Sequence, residues 1–286
     1  MKYWKYTFFL LTLVIFILFL GGFSLDNDLR IISCDVGQGD ATLIIYKNTE
    51  IVIDGGPNSK VIECMSQYIP FWDRKIELVI LTHPEADHYT GLIDVFKSYD
   101  IDSFLVSDLV VSSESYNLLK RLVGGGRTRV VRPTNSMVIR LGSIYLDMVI
   151  DEEVRIGEQK DKLNLYSIIS VLKFSKFEAV LTGDYEFNGK DNVLEDIKQK
   201  ISSEGVIYIK TPHHGSKNGL TQSLLEITRP KFAIVSVGKN QWGHPVGEVL
   251  DMITKAGAKV FRTDLNGNIE VIVNEKGNYK VKTSKN

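Results

Sequence analysis

From residue 29 onward, short apolar runs bounded by Gly, Asp and Pro set the rhythm of this chain. LRIISCDV and ATLIIY are split by the turn DVGQGD, and EIVIDGG ends at Asp54 beside a glycine pair. Runs of this length, rich in Ile and Val and closed by turn residues, predict strands. ELVILTH, at 77–83, is apolar almost without a break, the pattern of a strand buried on both faces. Helical spacing predicts helices near 60–68, 90–98 and 115–122, with strands at SFLVS, 128–131, 137–141 and 143–150 between and after them. The polar stretch 151–162 reads as a surface loop. The second half repeats the logic. LYSIISVLKF and FEAVLTGD are strands, a helix follows near 192–201, and GVIYIKTPHHGS runs from a strand into a histidine pair. FAIVSVG, a helix over PVGEVLDMITKAG, and the strands KVFRTD and NIEVIVN close the chain. Two halves of strands followed by helices predict a layered α/β fold. The polar candidates fall just after strands, where open sheets place their sites.

The N-terminus has a different pattern. Lys2 and Lys5 precede TFFLLTLVIFILFLGGF, at 7–23, which carries no charge. A run near 20 residues approaches the thickness of a bilayer core. Lysines ahead of it, with Tyr3, Trp4 and Tyr6 at the interface, predict a helix whose N-terminus stays in the cytoplasm. The expectation is a cytoplasmic segment at 1–6, a single-pass signal anchor at 7–23, a linker at 24–28 and one extracytoplasmic domain at 29–286. A cleaved signal peptide that releases the domain is the other reading.

Composition adds limits. The net charge is −1, with 44% hydrophobic and 24% charged residues, ordinary values for a globular protein. A near-neutral chain does not hold nucleic acid by bulk charge, so any phosphate recognition is local. Two cysteines, Cys34 and Cys64, form neither a disulfide framework nor a zinc finger. Buried free thiols are the expectation, and a single bridge the alternative in an oxidising compartment.

The candidate chemistry is concentrated in THPEADH, which sets His83, Glu85, Asp87 and His88 in one loop after a buried strand. Imidazole and carboxylate suit zinc or manganese. Further along come Asp184 in LTGD, His213 and His214 in TPHHGS, and His244 in GHP; all five histidines lie in these strand-end loops. A solvated helix start would explain Glu85 and Asp87 alone, but not the whole set. The GGG at 124–126 lacks the lysine and helix of a phosphate loop.

THPEADHYTGL resembles the HxHxDH signature of the metallo-β-lactamase superfamily. With DVGQGDATLI, IVIDGG, LTGD, PHHGS and GHP in this order, the chain is similar to its ComEC-type branch, the C-terminal hydrolase domain of DNA-uptake proteins. The resemblance covers about residues 29–274. It implies a four-layer αββα sandwich and one or two divalent ions, Zn or Mn. By position, His83 and Glu85 would face a first ion, Asp87 and His88 a second, and Asp184 would bridge them. His214 would be a further ligand, His213 a phosphate contact, and His244 a ligand or substrate contact. Asp87, His88, Asp184 and His213 would carry catalysis. Asp54 would orient a ligand, Asp35, Gln38 and Asp40 would form a loop beside the site, and Ser216 and Lys217 its rim. Glu85 and Asn164 stand where the family usually has histidines, which depletes the first ion's site. The implied activity is hydrolysis of a DNA phosphodiester by metal-activated water. Phosphodiester cleavage in a surface polymer, such as a choline-phosphate teichoic acid, keeps the chemistry and changes the substrate. A silent metal- or nucleic-acid-binding domain is the reading from another class. DNA uptake would need a separate channel protein, and nothing in the pattern fixes an oligomeric state.

Overall fold

The computed structural model describes residues 3–21, 27–109, 111–157, 162–187 and 192–285. The strands are, in chain order, β1 Leu29–Ser33, β2 Thr42–Tyr46, β3 Thr49–Ile53, β4 Lys75–Leu81, β5 Asp100–Val106, β6 Arg129–Val131, β7 Val138–Leu141 and β8 Ile144–Val149. They continue as β9 Ile169–Phe174, β10 Phe177–Leu181, β11 Tyr208–Lys210, β12 Phe232–Val235, β13 Lys259–Arg262, β14 Ile269–Val273 and β15 Tyr279–Thr283. Two sheets form, in the orders β15-β14-β1-β2-β3-β4-β5-β6 and β13-β12-β11-β10-β9-β8-β7.

Period-two alternation decides which side chains meet which layer. In β2, Ile44 and Tyr46 point between the sheets, while Leu43 and Ile45 point outward under helices. The inner core joins Ile31, Ile44, Ile51, Leu146, Leu172, Phe174 and Phe232. The outer face of the first sheet is covered by helices Lys60–Tyr68 and Leu92–Ser98 through Val61, Met65, Leu92 and Val95. The second sheet is covered by Asn192–Lys200, Gln222–Thr228 and Gly247–Lys255 through Val193, Ile197, Leu224 and Ile253. Burial on both faces explains the unbroken apolar runs, and each such Ile or Leu contributes about 1.5–3 kcal/mol relative to exposure.

Strands β3 to β6 run parallel, as do β10 to β13. Their carboxyl ends carry the candidate motifs. Close backbone contact between loops is needed there: a Cβ at Gly91 would lie 1.9 Å from the Gly55 carbonyl oxygen, and one at Gly39 would lie 2.3 Å from that of Asp87.

Three expectations are corrected. The apolar N-terminal run forms helix Trp4–Gly21, of 18 residues. At 1.5 Å per residue this is about 27 Å, and it opens with the polar or interfacial Trp4, Lys5, Tyr6 and Thr7, short of the roughly 30 Å hydrocarbon core. No helix among the described residues is long and apolar enough to cross a membrane. The signal anchor, and the extracytoplasmic or secreted placement that rested on it, are therefore overturned; most of the linker expected at 24–28 lies outside the described residues. Second, Cys34 and Cys64 are not free thiols but a disulfide with Cα atoms 5.9 Å apart. Helix Lys60–Tyr68 brings Cys64 against the end of β1. Third, the polar stretch after β8 begins with helix Glu152–Gly157, because Asp151 Oδ1 accepts the N–H groups of Glu153 and Val154; residues 158–161 lie outside the described residues.

Candidate metal centre

After β3 the chain turns through Asp54 in the left-handed region, at φ 59°. Its buried carboxylate accepts the N–H of Thr82 at 2.8 Å and the Thr82 hydroxyl at 2.7 Å. It also faces His88 Nδ1 at 2.8 Å. After β4, His83 follows Thr82, and the short helix Ala86–Tyr89 presents Asp87 and His88. After β10 comes Asp184, whose N–H bonds Ser167 Oγ at 3.2 Å. After β11 come His213 and His214, both left-handed at φ 46° and 52°. Left-handed non-glycine residues cost of order 1–3 kcal/mol each and gather where function needs them.

These loops bring four ligand groups together. His88 Nε2 lies 3.2 Å from Asp184 Oδ2, and His214 Nε2 lies 3.1 Å from the same oxygen and 3.3 Å from Asp87 Oδ2. One ligand atom from each of Asp87, His88, Asp184 and His214 falls within 4.8 Å of all the others. The far ring nitrogens explain the orientation. His214 Nδ1 is 2.8 Å from the Ser236 carbonyl, which only accepts, so Nδ1 carries the proton and Nε2 faces the cluster. Asp54 does the same for His88. Thr82 donates to Asp54, so it accepts from His83 Nδ1 at 3.1 Å. The Nε2 atoms of His83, His88 and His214 are buried without a hydrogen-bond partner. Buried, unsatisfied and convergent imidazole nitrogens beside carboxylates fit a divalent cation.

The electrostatics carry the same imprint. Burial pushes His88 down, but Asp184 and Asp54 outweigh it and hold it well above its ordinary value. Burial likewise opposes the charge of His214, yet Asp184 and Asp40 push it up to about 10. Burial raises Asp184, while His214, Lys210 and His88 bring it well below the carboxylate range. Asp87, raised by burial, is drawn down to about 2 by His214 and His88.

The remaining expected residues separate. Glu85 Oε2 stands 3.9 Å from His83 Nε2, at the edge of the cluster. His213 Nδ1 pairs with Glu186 Oε1 at 3.0 Å, and Asn164 Nδ2 donates to the same oxygen at 3.1 Å. Asn164 thus commits its amide nitrogen to Glu186, while its Oδ1 is buried without a hydrogen-bond partner beside the cavity. His244 is in the cavity wall, its ring 5.6 Å from that of His213, outside the four-residue cluster. Gln38, Ser216 and Lys217 line the cavity, but Asp35 turns away to pair with Lys285 Nζ at 2.6 Å.

Sequence reasoning missed Lys210 and Glu186. Lys210 ends β11, is only 4% exposed, and forms ion pairs with Asp40 and, at 3.1 Å, Asp184 Oδ1. Its Nζ also donates to the Gly183 carbonyl at 2.8 Å. A lysine inside the apolar run VIYIK, four residues before His214, was the available signal. Glu186, two residues after Asp184, had none beyond its position.

The cavity above the cluster measures about 1160 Å³ and is lined by Glu85, Asp87, Lys217, Lys239 and Trp242 among others. The sequence pattern of the Metallo-beta-lactamase superfamily matches residues 34–239. The chain belongs to that superfamily. Among curated relatives, ComE operon protein 3 of Bacillus subtilis (strain 168) is 24% identical over 279 residues, covering 90% of this chain and 34% of that protein. Recombination protein 2 of Haemophilus influenzae is 24% identical over 242 residues, covering 83% of this chain and 28% of that protein. The chain thus spans about a third of the length of these relatives. The crystal structure of the metallo-beta-lactamase fold protein YhfI from Bacillus subtilis superimposes with TM-score 0.58 at 12% identity, over 85% of this chain and 99% of that one. The two-sheet sandwich of the superfamily is therefore the fold of this chain.

In this metallo-β-lactamase site, three buried carboxylates, Asp40, Asp54 and Asp184, face one ammonium and two imidazoles. Exchanging two imidazolium protons for one divalent cation keeps that balance. Titrating Zn²⁺ into metal-free protein at pH 7, in buffers of different ionisation enthalpy, is expected to show about two protons released per ion; no release would contradict the assignment. For the metal-free protein the sign is also set. His88 and His214 bind protons more tightly folded than unfolded, so their stabilisation is full below pH 6.5 and is lost as pH rises through about 10 for His214. Lys210→Met leaves two buried carboxylates uncompensated and should destabilise the metal-free protein by about 3–5 kcal/mol in urea unfolding. An unchanged midpoint would show that Asp40 and Asp184 do not depend on it.

Proposed function

We propose that this metal-dependent hydrolase is a phosphodiesterase that cleaves DNA. The carrying observation is that two members of the four-ligand cluster, Asp87 and His214, line an open cavity of about 1160 Å³ together with Lys217 and Lys239. That volume exceeds the roughly 300–1,000 Å³ of small-molecule pockets, and suits a segment of polymer. Similarity to ComE operon protein 3 and Recombination protein 2 supports a nucleic-acid substrate.

A divalent ion in the cluster would supply Lewis acidity, activating water and neutralising charge on a phosphoryl oxygen. The chain's own residues do the rest. Asp87, His88, Asp184 and His214 would hold the ion, while Asp54 and the Ser236 carbonyl fix the two imidazoles. Glu186 orients His213 through Nδ1, leaving Nε2 to pass a proton to the departing oxygen. Lys210 holds Asp184 in place. His83 and Glu85, 3.9 Å apart, would hold a second ion. The donor set suits zinc and manganese alike.

The test is hydrolysis of single- and double-stranded DNA and of a chromogenic phosphodiester by the full chain with Mn²⁺ or Zn²⁺. Asp87→Asn and His214→Ala should abolish metal-dependent cleavage. Asp54→Asn, which reaches the ion only through His88, should lower activity or metal affinity roughly 10–100-fold. Turnover of the small diester alone would move the substrate to another phosphodiester. Metal binding without turnover of any diester would leave a silent binding domain.

A further inference from the structure

Trp242 is 61% exposed, yet its loop is firmly held. Asn240 Oδ1 accepts the N–H groups of Trp242 at 3.1 Å and His244 at 3.0 Å. Asn240 Nδ2 donates to the carbonyls of Gly238 at 2.9 Å and His244 at 2.8 Å. Gly238 in turn donates its N–H to Gln38 Oε1 at 3.3 Å, tying the loop to the one that follows β1. One short side chain thus closes both flanks of the turn and fixes the backbone that carries the indole. The ring lies 6.4 Å from His244 with 27° between the planes, and His244 leads on to His213 at 5.6 Å. Trp242, Lys217 and Lys239 line the cavity that has Asp87 and His214 in its wall.

A large aromatic surface left in water on a backbone held by four hydrogen bonds has the backbone part of its ordering cost removed before any ligand arrives. Among the described lining residues, Trp242 is the one aromatic besides the histidines. A quaternary ammonium also sits well on a Trp face, but it is normally caged by several aromatics, and the ammonium groups of Lys239 and of Lys217, the latter paired with Glu248 at 3.3 Å, oppose it. A flat, uncharged ring attached to phosphates satisfies both features at once.

We propose that Trp242 is a stacking subsite for an unpaired base beside the scissile phosphate, with Lys217 and Lys239 meeting flanking phosphates, so that the site selects single-stranded over duplex DNA. This deepens the phosphodiesterase reading and rests on it. In a duplex each base is already stacked on its neighbours, so only an unpaired base can reach the indole without unstacking. Such stacking contributes about 1–3 kcal/mol per base.

The test uses the full chain, with an eight-residue oligo-dT in EDTA read by tryptophan fluorescence and, with metal, cleavage kinetics. The wild type should show saturable quenching by oligo-dT and little by a blunt duplex. Trp242→Ala should weaken oligo-dT binding and raise its KM roughly tenfold. Trp242→Phe should restore most of this, and kcat/KM on methyl p-nitrophenyl phosphate should stay within about twofold. The exposed position predicts an unchanged melting temperature for either variant. Equal oligo-dT affinity of wild type and Trp242→Ala, equal binding of duplex, or saturation by phosphocholine but not by oligo-dT would each overturn the subsite. If oligo-dT binds through Trp242 and no diester is cleaved, the subsite stands and the phosphodiesterase reading falls.

Discussion

A knot of buried charge at the ends of the parallel strands constrains the rest of this structure. Asp40, Asp54 and Asp184 are nearly inaccessible, as are Lys210, His88 and His214. Removing such groups from water is costly unless every one is paired, and the fold pairs them across five separate loops. Asp54 ties the end of β3 to Thr82 and His88, and Lys210 ties β11 to Asp40 and Asp184. The close approach of Gly39 to Asp87, with the Asp40 N–H on the Asp87 carbonyl at 3.2 Å, holds the loop that carries Asp40 against the ligand loop, and the Cys34–Cys64 bridge ties the start of that loop to helix Lys60–Tyr68. The charge balance is open in one respect only: two imidazoles can exchange their protons for a cation. The scaffold is thereby built around the exchange that makes it a metal site.

Both sheets contribute, which is why neither half of the sandwich is a site alone. The first supplies Asp54, Asp87 and His88, and the second Asp184, Lys210 and His214. Each group follows the carboxyl end of a strand, where a short loop can aim a side chain at the gap between the sheets.

Much of this was legible because its signals are local. THPEADH, LTGD and PHHGS each set their residues within one strand-end loop, so the pattern singled out His83, Glu85, Asp87, His88, Asp184, His213 and His214 as candidates, and the resemblance implied which of them are ligands. Unbroken apolar runs such as that of β4 revealed two-faced burial. The relations that were not legible are long-range. Lys210 reads as a strand terminus until β11 is set beside β10 and its ammonium meets Asp184. Asp35 belongs to a promising motif but is drawn off by Lys285, 250 positions away. The disulfide depends on how helix Lys60–Tyr68 docks, which cysteine spacing does not encode. The anchor expectation took the run at 7–23 as near enough to the thickness of a bilayer, and His244, expected as a ligand or a substrate contact, is held in the cavity wall by the loop that Asn240 fixes.

The central claim is that Asp87, His88, Asp184 and His214 hold the principal ion. A crystal structure of the protein loaded with Zn²⁺ or Mn²⁺, with the ion located by anomalous scattering, tests it most directly. The account predicts one strong peak within bonding distance of Asp87, the Nε2 atoms of His88 and His214, and Asp184 Oδ2, with Lys210 still on Asp184 Oδ1. A principal peak on His83 and Glu85 without Asp184, or a loaded crystal with no peak between the sheets, would contradict it.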